Sequence, residues 1–298
     1  MQRFVLVFFC ALGCTDIKDD DSDNPVCPPT PFDPDVTSEA AAVGLERSNF
    51  YREMMGLEAG ALHPLLDKAS QLHADYMACH QTITHQQEVG MAGFTGEWVW
   101  DRMETVGYPL ESGRSWSEVV ADGYSASEAV DAWVGSVYHR IPFTMPYWVE
   151  VGFGKTDTYT AMAIVSPYPD GARAAVIYPV DGQVDVPIDF NSDWEMPDPD
   201  PARGIVGYPI TVTVAASSVG TTMEDPYGLR LLEADLFGPD GESVPIVGID
   251  PGDDPYLYTM VAIWPETPLE RDAEYEAVMR VEWDGAEETL VSVFTTAP

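Results

Sequence analysis

Apolar and polar positions change their spacing along the chain, and that change divides it. From Ala61 to Ala78, Leu62, Leu65, Leu66, Ala69, Leu72, Tyr76 and Met77 recur at helical spacing. Ser125 and Glu128 form a capping box ahead of Ala129, Val130, Trp133, Val134 and Val137, which share one helical face. Phe94 to Val106 also reads as a helix, stopped by Gly107. Two strand-like runs follow, Tyr147 to Gly154 and Thr158 to Val165. Helices packed on a small sheet are therefore expected over residues 37–168.

From Ala174 onward the helical period is absent. Short β-rich runs take its place: Ala174–Ile177, Val184–Phe190, Ile210–Ala215, Leu229–Phe237, Leu257–Ile263, Tyr275–Trp283 and Thr289–Thr295. Turn pairs such as Asp181-Gly182 and Asp284-Gly285 separate them. This pattern predicts an all-β sandwich over 169–298.

The chain has 298 residues and is 45% hydrophobic, enough for two cores. Its net charge of −36 repels other polyanions, which argues against a nucleic-acid partner. Arg3 followed by apolar Phe4 to Leu12 reads as an export signal, too short to span a bilayer. Ala11-Leu12-Gly13-Cys14 resembles a bacterial lipoprotein cleavage box, although Ala11 stands where a larger aliphatic is usual. Residues 1–14 are thus expected to be removed or processed. Either Cys14 becomes a lipid anchor on the outer membrane, or the chain is simply secreted. Residues 15–36, acidic and rich in proline, read as a disordered linker. An exported chain meets oxidising conditions, so Cys27 and Cys79 are candidates for a disulfide; two unpaired thiols are the alternative.

Five histidines are present, and three of them bear on chemistry. His85 stands in a loop before glycines. His139 is expected at the end of an amphipathic helix, where the helix dipole would favour its charged form. Glu118 lies behind Trp116, between them in sequence. Two imidazoles and a carboxylate suit a divalent metal or acid–base work. His73 falls on an apolar helix face and reads as a core histidine. Glu88 is a second candidate carboxylate beside His85. No nucleophile constellation is legible: G-x-S-x-G is absent, and Ser136, though near His139, has no nameable oxyanion donors.

The order of several motifs adds a resemblance. Leu72-His73-Ala74-Asp75-Tyr76-Met77, Thr84-His85, Phe94-Thr95-Gly96, Asp101-Arg102, Gly107-Tyr108 and Ser117-Glu118-Val119 lead to Trp133, Ser136, His139 and Arg140. Glu150-Val151-Gly152-Phe153-Gly154 follows. Residues 37–168 resemble the bacterial form of the CAP superfamily of cysteine-rich secretory, antigen 5 and pathogenesis-related proteins. The resemblance implies an α-β-α sandwich whose cleft is lined by His85, Glu118 and His139. Ser136 stands where many relatives have a second glutamate, and Val119 where they have an asparagine. Tyr178-Pro179, Asp181-Gly182, Asp185-Val186-Pro187 and Phe294-Thr295-Thr296 resemble bacterial Ig-like modules.

The resulting expectation is a multidomain chain, a CAP-like α-β-α sandwich followed by an Ig-like β-sandwich, at the cell surface or outside it. Two functions are consistent with it. In one, the cleft binds a small molecule, lipid, glycan or protein and the Ig-like part acts as spacer or adhesion module. In the other, His85, His139 and Glu118 hold Zn²⁺ in an extracellular hydrolase acting on protein or cell wall. The membrane is reached only through a lipid anchor at Cys14.

Overall fold

The computed structural model describes residues 26–148, 150–167, 174–215 and 228–298. The expected signal segment, Cys14 and the start of the expected linker lie outside these residues. Strands dominate: thirteen are present among the described residues, against five α-helices. By internal contacts the chain divides into two compact units, and the division is not sequential. The first unit holds the described residues up to Phe50, Ala59–Asp131 and Trp148–Pro167. The second holds Tyr51–Glu58, Ala132–Tyr147 and the described residues from 174 onward.

The elements up to residue 167 are α1 (Glu39–Met54), β1 (Ala61–Leu62), α2 (Pro64–His80), α3 (Val99–Thr105), β2 (Arg114–Asp122), α4 (Ala126–Gly135), α5 (Ile141–Thr144), β3 (Glu150–Lys155) and β4 (Tyr159–Pro167). The first unit is built on a sheet of order β1-β3-β4-β2, antiparallel except for the short parallel pair β1–β3. Helix α2 lies on one face of it. Leu66 and Ala69 from α2 pack with Val99 and Met103 of α3, Trp116 of β2, and Ala163 and Val165 of β4. On the strand positions between, Phe153 abuts Gly44 of α1.

Helix α2 also completes the sheet's hydrogen bonding. Strand β1 covers only the start of β3, which leaves the rest of β3 as an open edge. Asp67 and Gln71, one helical turn apart, reach that edge. Asp67 accepts from the Phe153 amide at 2.8 Å. Gln71 accepts from the Lys155 amide at 3.0 Å and donates to its carbonyl at 3.2 Å. Ser70 donates to the Gly152 carbonyl at 3.0 Å and accepts from the Ala163 amide at 3.2 Å. Backbone groups that a neighbouring strand would satisfy are thus met by one helix face.

The cost falls on Asp67. Burial pushes its carboxyl up to about 6, only partly offset by the Phe153 amide. A raised carboxylate pKa destabilises the fold once the pH exceeds it: the penalty is absent below the unfolded value near 3.8 and complete above about 6. Asp67→Asn keeps the acceptor and removes the charge. It is expected to add about 1–3 kcal/mol of stability near pH 8 and almost none near pH 4. Urea unfolding at the two pH values checks this; an equal change at both would contradict it.

Capping decides two helix boundaries. The Ser125 amide donates to Glu128 Oε2 at 2.9 Å, and the Glu128 amide to Ser125 Oγ at 3.4 Å, so α4 starts where the capping box predicts. It stops at Gly135, however, before Val137. Helix α3 starts at Val99 rather than Phe94, because Asp101 accepts from the Trp98 amide at 3.0 Å and caps it there.

The second unit is β-rich. Its strands are β5 (Ala174–Tyr178), β6 (Asp189–Asn191), β7 (Ile205–Gly207), β8 (Ile210–Ala215), β9 (Arg230–Phe237), β10 (Ile246–Ile249), β11 (Met260–Pro265), β12 (Glu274–Trp283) and β13 (Ala286–Thr295). They form an antiparallel sheet β10-β11-β8-β5, a second sheet β13-β12-β9, and the hairpin β6–β7. Asp284 and Gly285 both have positive φ, 53° and 73°, which is the two-residue turn that matches hairpin twist. Val184 to Ile188, expected as strand, precede the three-residue β6, whereas β7 and β10 arise where no strand was expected.

Candidate functional site

Glu118 organises the polar centre of the first unit. In β2 it pairs with Ala163 of β4, so it lies on the sheet face that carries α2. Arg102 from α3 donates through Nη2 to Glu118 Oε1 at 2.6 Å. His85 Nδ1 lies 3.1 Å from Oε2, and His73 Nε2 lies 3.5 Å from the same oxygen. Burial alone would raise the Glu118 carboxyl. The adjacent guanidinium and imidazoles outweigh that and hold it down at about 2.

His73 is fully buried and neutral. Burial, reinforced by Arg102, pushes its imidazole down to about 3. Its neighbours define the tautomer. Nε2 donates to the Thr84 carbonyl at 2.7 Å, and Nδ1 accepts from Gln87 Nε2 at 3.1 Å. Gln87, also fully buried, accepts through Oε1 from the Thr95 amide at 2.8 Å. Arg102 Nη1 reaches the carbonyls of His85, Gly96 and Glu97 at 3.2, 3.4 and 3.2 Å. His73, Gln87 and Arg102 together stitch the segment between α2 and α3 onto the sheet. Of the four ionisable groups in the cluster, His85 is the one that touches solvent, at 17% of its side chain.

That segment and α3 line an open groove of about 530 Å³. Val89, Phe94 and Thr95 line it together with the carboxylates of Glu97, Asp101 and Glu104. The groove is therefore part apolar and part anionic. Glu88, the other candidate carboxylate, is exposed, and its amide donates to the Tyr76 hydroxyl at 3.0 Å.

His139 belongs to the second unit and has its own carboxylate. Because α4 ends at Gly135, His139 sits in the turn before α5 rather than at the end of α4. Its Nδ1 lies 3.0 Å from Glu195 Oε1. Glu195 also accepts from three successive amides, Val137 at 2.8 Å, Tyr138 at 2.7 Å and His139 at 3.1 Å. Burial would raise this carboxyl; His139 and the amides bring it below the usual range. Arg140 braces the same turn. It donates to the Val134 and Pro209 carbonyls at 2.6 and 2.7 Å, and its guanidinium stacks on Tyr178 and Tyr208.

Ser136, His139 and Glu195 do not make a nucleophile relay. Ser136 Oγ lies 3.3 Å from Nδ1, the same nitrogen that faces Glu195, and it donates to the Trp133 carbonyl at 3.0 Å. A relay needs the serine and the acid on opposite ring nitrogens.

The remaining histidines are accounted for. His63 caps α2 by accepting from the Leu65 amide at 3.2 Å. His80 ends α2 and lies against the disulfide that joins Cys27 to Cys79. Sequence reasoning missed Arg102 as a site residue, although an arginine spaced three from Val99 and one from Met103 on an apolar face is a signal of a paired buried cation. Glu195 was invisible, since nothing in Trp194-Glu195-Met196 indicates that the carboxylate turns inward to meet a histidine 56 positions earlier.

At the polar centre of the first unit both Glu118 oxygens have partners, Arg102 on Oε1 and His85 on Oε2. Among the described residues, the group of three donor side chains whose ligand atoms lie within 4.8 Å of one another is Cys27, Cys79 and His80.

No family model and no curated protein matches the chain. Solved structures with some likeness include an extracellular protein containing an SCP domain from Bacillus anthracis, at 17% identity and a TM-score of 0.38. The match covers 46% of this chain and 45% of that one, so the chain spans less than half its length. An outer surface protein of Borrelia burgdorferi matches at 17% identity and a TM-score of 0.33, covering 42% of this chain and 90% of that one. A DUF4426 family protein from Pseudomonas aeruginosa matches at 15% and 0.28, covering 43% and 90%. Among the described residues, no helix is long and apolar enough to cross a membrane.

Proposed function

We propose that this chain is an exported surface protein that binds a ligand without transforming it. On this reading the first unit is a CAP-like α-β-α layer that presents the groove, and the second is an Ig-like spacer. The observation that carries the reading is the state of Glu118. Its oxygens are taken up by Arg102 and His85, with His73 at 3.5 Å, and Arg102 in turn holds the carbonyls of Gly96 and Glu97, two residues of the groove wall. The polar centre then acts as a clamp that shapes a binding surface.

The lining defines the ligand class. Glu97, Asp101 and Glu104 call for a cation, and Val89 and Phe94 for an aliphatic neighbour. A protein or peptide ligand with a basic side chain beside an apolar one meets both needs. An oligopeptide of alternating Lys and Leu is expected to bind the full chain, and a Glu–Leu peptide is not. Glu97→Gln with Glu104→Gln is expected to weaken the Lys–Leu peptide by roughly tenfold, as two rim charges would. Titration calorimetry in about 0.15 M salt reads the difference. Equal binding of the two peptides, or an unaffected double variant, would refute the reading.

A further inference from the structure

The end of α2 carries a donor set that neither the groove nor the polar centre uses. Cys27, Cys79 and His80 are half-buried and so within reach of small reagents. Cys27 Sγ lies 4.0 Å from His80 Nε2, and the three donor atoms are mutually within 4.8 Å. Zinc–sulfur bonds of about 2.3 Å and zinc–nitrogen bonds of about 2.0 Å set tetrahedral donor separations of roughly 3.5–3.8 Å. A sulfur-to-sulfur bond holds the cysteines closer than that, and once it opens the sulfurs need to separate only to that spacing. The Cα atoms, 5.6 Å apart, already sit where two side chains can share one ion.

Position and charge favour a cation here. His80 is the last residue of a 17-residue helix, whose C-terminal carbonyls present partial negative charge. The chain as a whole is at −36. Two thiolates and an imidazole form a donor set that suits zinc, with one position left for water.

We propose that the Cys27–Cys79 disulfide is the oxidised, metal-free form of a zinc site completed by His80. A dithiol supplies two electrons and two protons, becomes a cyclic disulfide, and leaves Cys27 and Cys79 as thiols. Binding of Zn²⁺ releases both thiol protons to solvent. In the oxidised form His80 Nε2 donates to the Ala92 carbonyl at 2.8 Å. On metal binding that proton moves to Nδ1, and the Nε2 lone pair turns to the ion. None of Cys27, Cys79 and His80 lines the groove, so the proposal does not rest on the groove's ligand.

Cobalt(II) reports on such a site directly. The full chain, reduced with a dithiol and freed of it under inert gas, is expected to bind one Co²⁺ with thiolate charge-transfer bands and tetrahedral d–d bands. Zn²⁺ should displace both sets of bands. The disulfide form should show neither. His80→Ala, which leaves the disulfide intact for folding, should weaken binding after reduction by about 100-fold, at least as much as removing a group that only orients a metal ligand. Near-UV circular dichroism follows the fold throughout. Co²⁺ bound without thiolate bands would mean adsorption to the acidic surface and would overturn the proposal. So would a reduced chain that loses its tertiary signal and does not regain it with Zn²⁺, or a His80→Ala variant that binds as tightly as wild type.

Discussion

Glu118→Gln is expected to cost about 3–5 kcal/mol, because it leaves the Arg102 guanidinium buried and without its counter-charge. Arg102 is 1% exposed and Glu118 4%, so water cannot replace the lost partner. Arg102→Met should be comparably harmful, since it orphans the carboxylate and frees the carbonyls of His85, Gly96 and Glu97. The two together should recover much of the loss, as removing both members of a buried pair does. His85→Ala, at a partly solvated position, should cost nearer 1 kcal/mol. The pH profile carries the same signature. Glu118 is held at about 2 against an ordinary value of 4.5, so its contribution is complete above pH 4.5 and lost as pH falls towards 2. His73, pushed down to about 3 from 6.5, resists protonation in the fold; stability is lost as pH falls below 6.5 and continues to fall until about 3. Wild type should therefore weaken in acid from near pH 6, and Glu118→Gln should show a shallower loss below pH 4.5. Urea unfolding between about pH 3 and pH 7 measures both effects. A Glu118→Gln variant within about 1 kcal/mol of wild type, with an unchanged profile, would show that the pair does not hold the loop.

How much of this could be read from the chain depends on what covers each element. Strand β12 alternates between buried and less buried residues along its whole length, and β13 turns back on it through Asp284 and Gly285, so the hairpin is plain in the sequence. Helix α2 is plain for the same reason, with one apolar face set on the sheet. Strand β2 is not. Val119, Val120 and Ala121 are all buried, so the period of two is lost, and the charge of Glu118 interrupts the apolar run. Strand β1, with two residues, is set by its partner alone. In the site, the meeting of His85 and Glu118 followed from the order of motifs, whereas Arg102 and Glu195 did not. Their roles depend on burial and on partners 16 and 56 positions away, which local spacing does not encode.

Gly154→Ala should be among the most damaging single methyl additions to this chain. A Cβ at that position would lie 2.1 Å from the Gln71 amide nitrogen and 2.2 Å from the Ser70 carbonyl carbon, and at Gly152 it would lie 2.1 Å from the Leu66 carbonyl carbon. Each contact is with helix backbone, so no side chain can swing aside to relieve it. Helix α2 would have to lift from β3, and with it would go the hydrogen bonds of Asp67 and Gln71 to that strand edge and of Ser70 to the Gly152 carbonyl. Overpacking in a core that can adjust costs about 1–3 kcal/mol; here the loss of edge hydrogen bonds adds to it, and at least about 4 kcal/mol is expected. Gly135→Ala is the control. It sits at the end of α4 with no atom within 4 Å of an added Cβ, and should be neutral or stabilise by up to about 1 kcal/mol. Thermal unfolding of the two variants separates the explanations. If Gly154→Ala melts with wild type, α2 does not ride on β3 as closely as the glycine pair requires, and His73, which α2 holds against Glu118, loses its fixed position too.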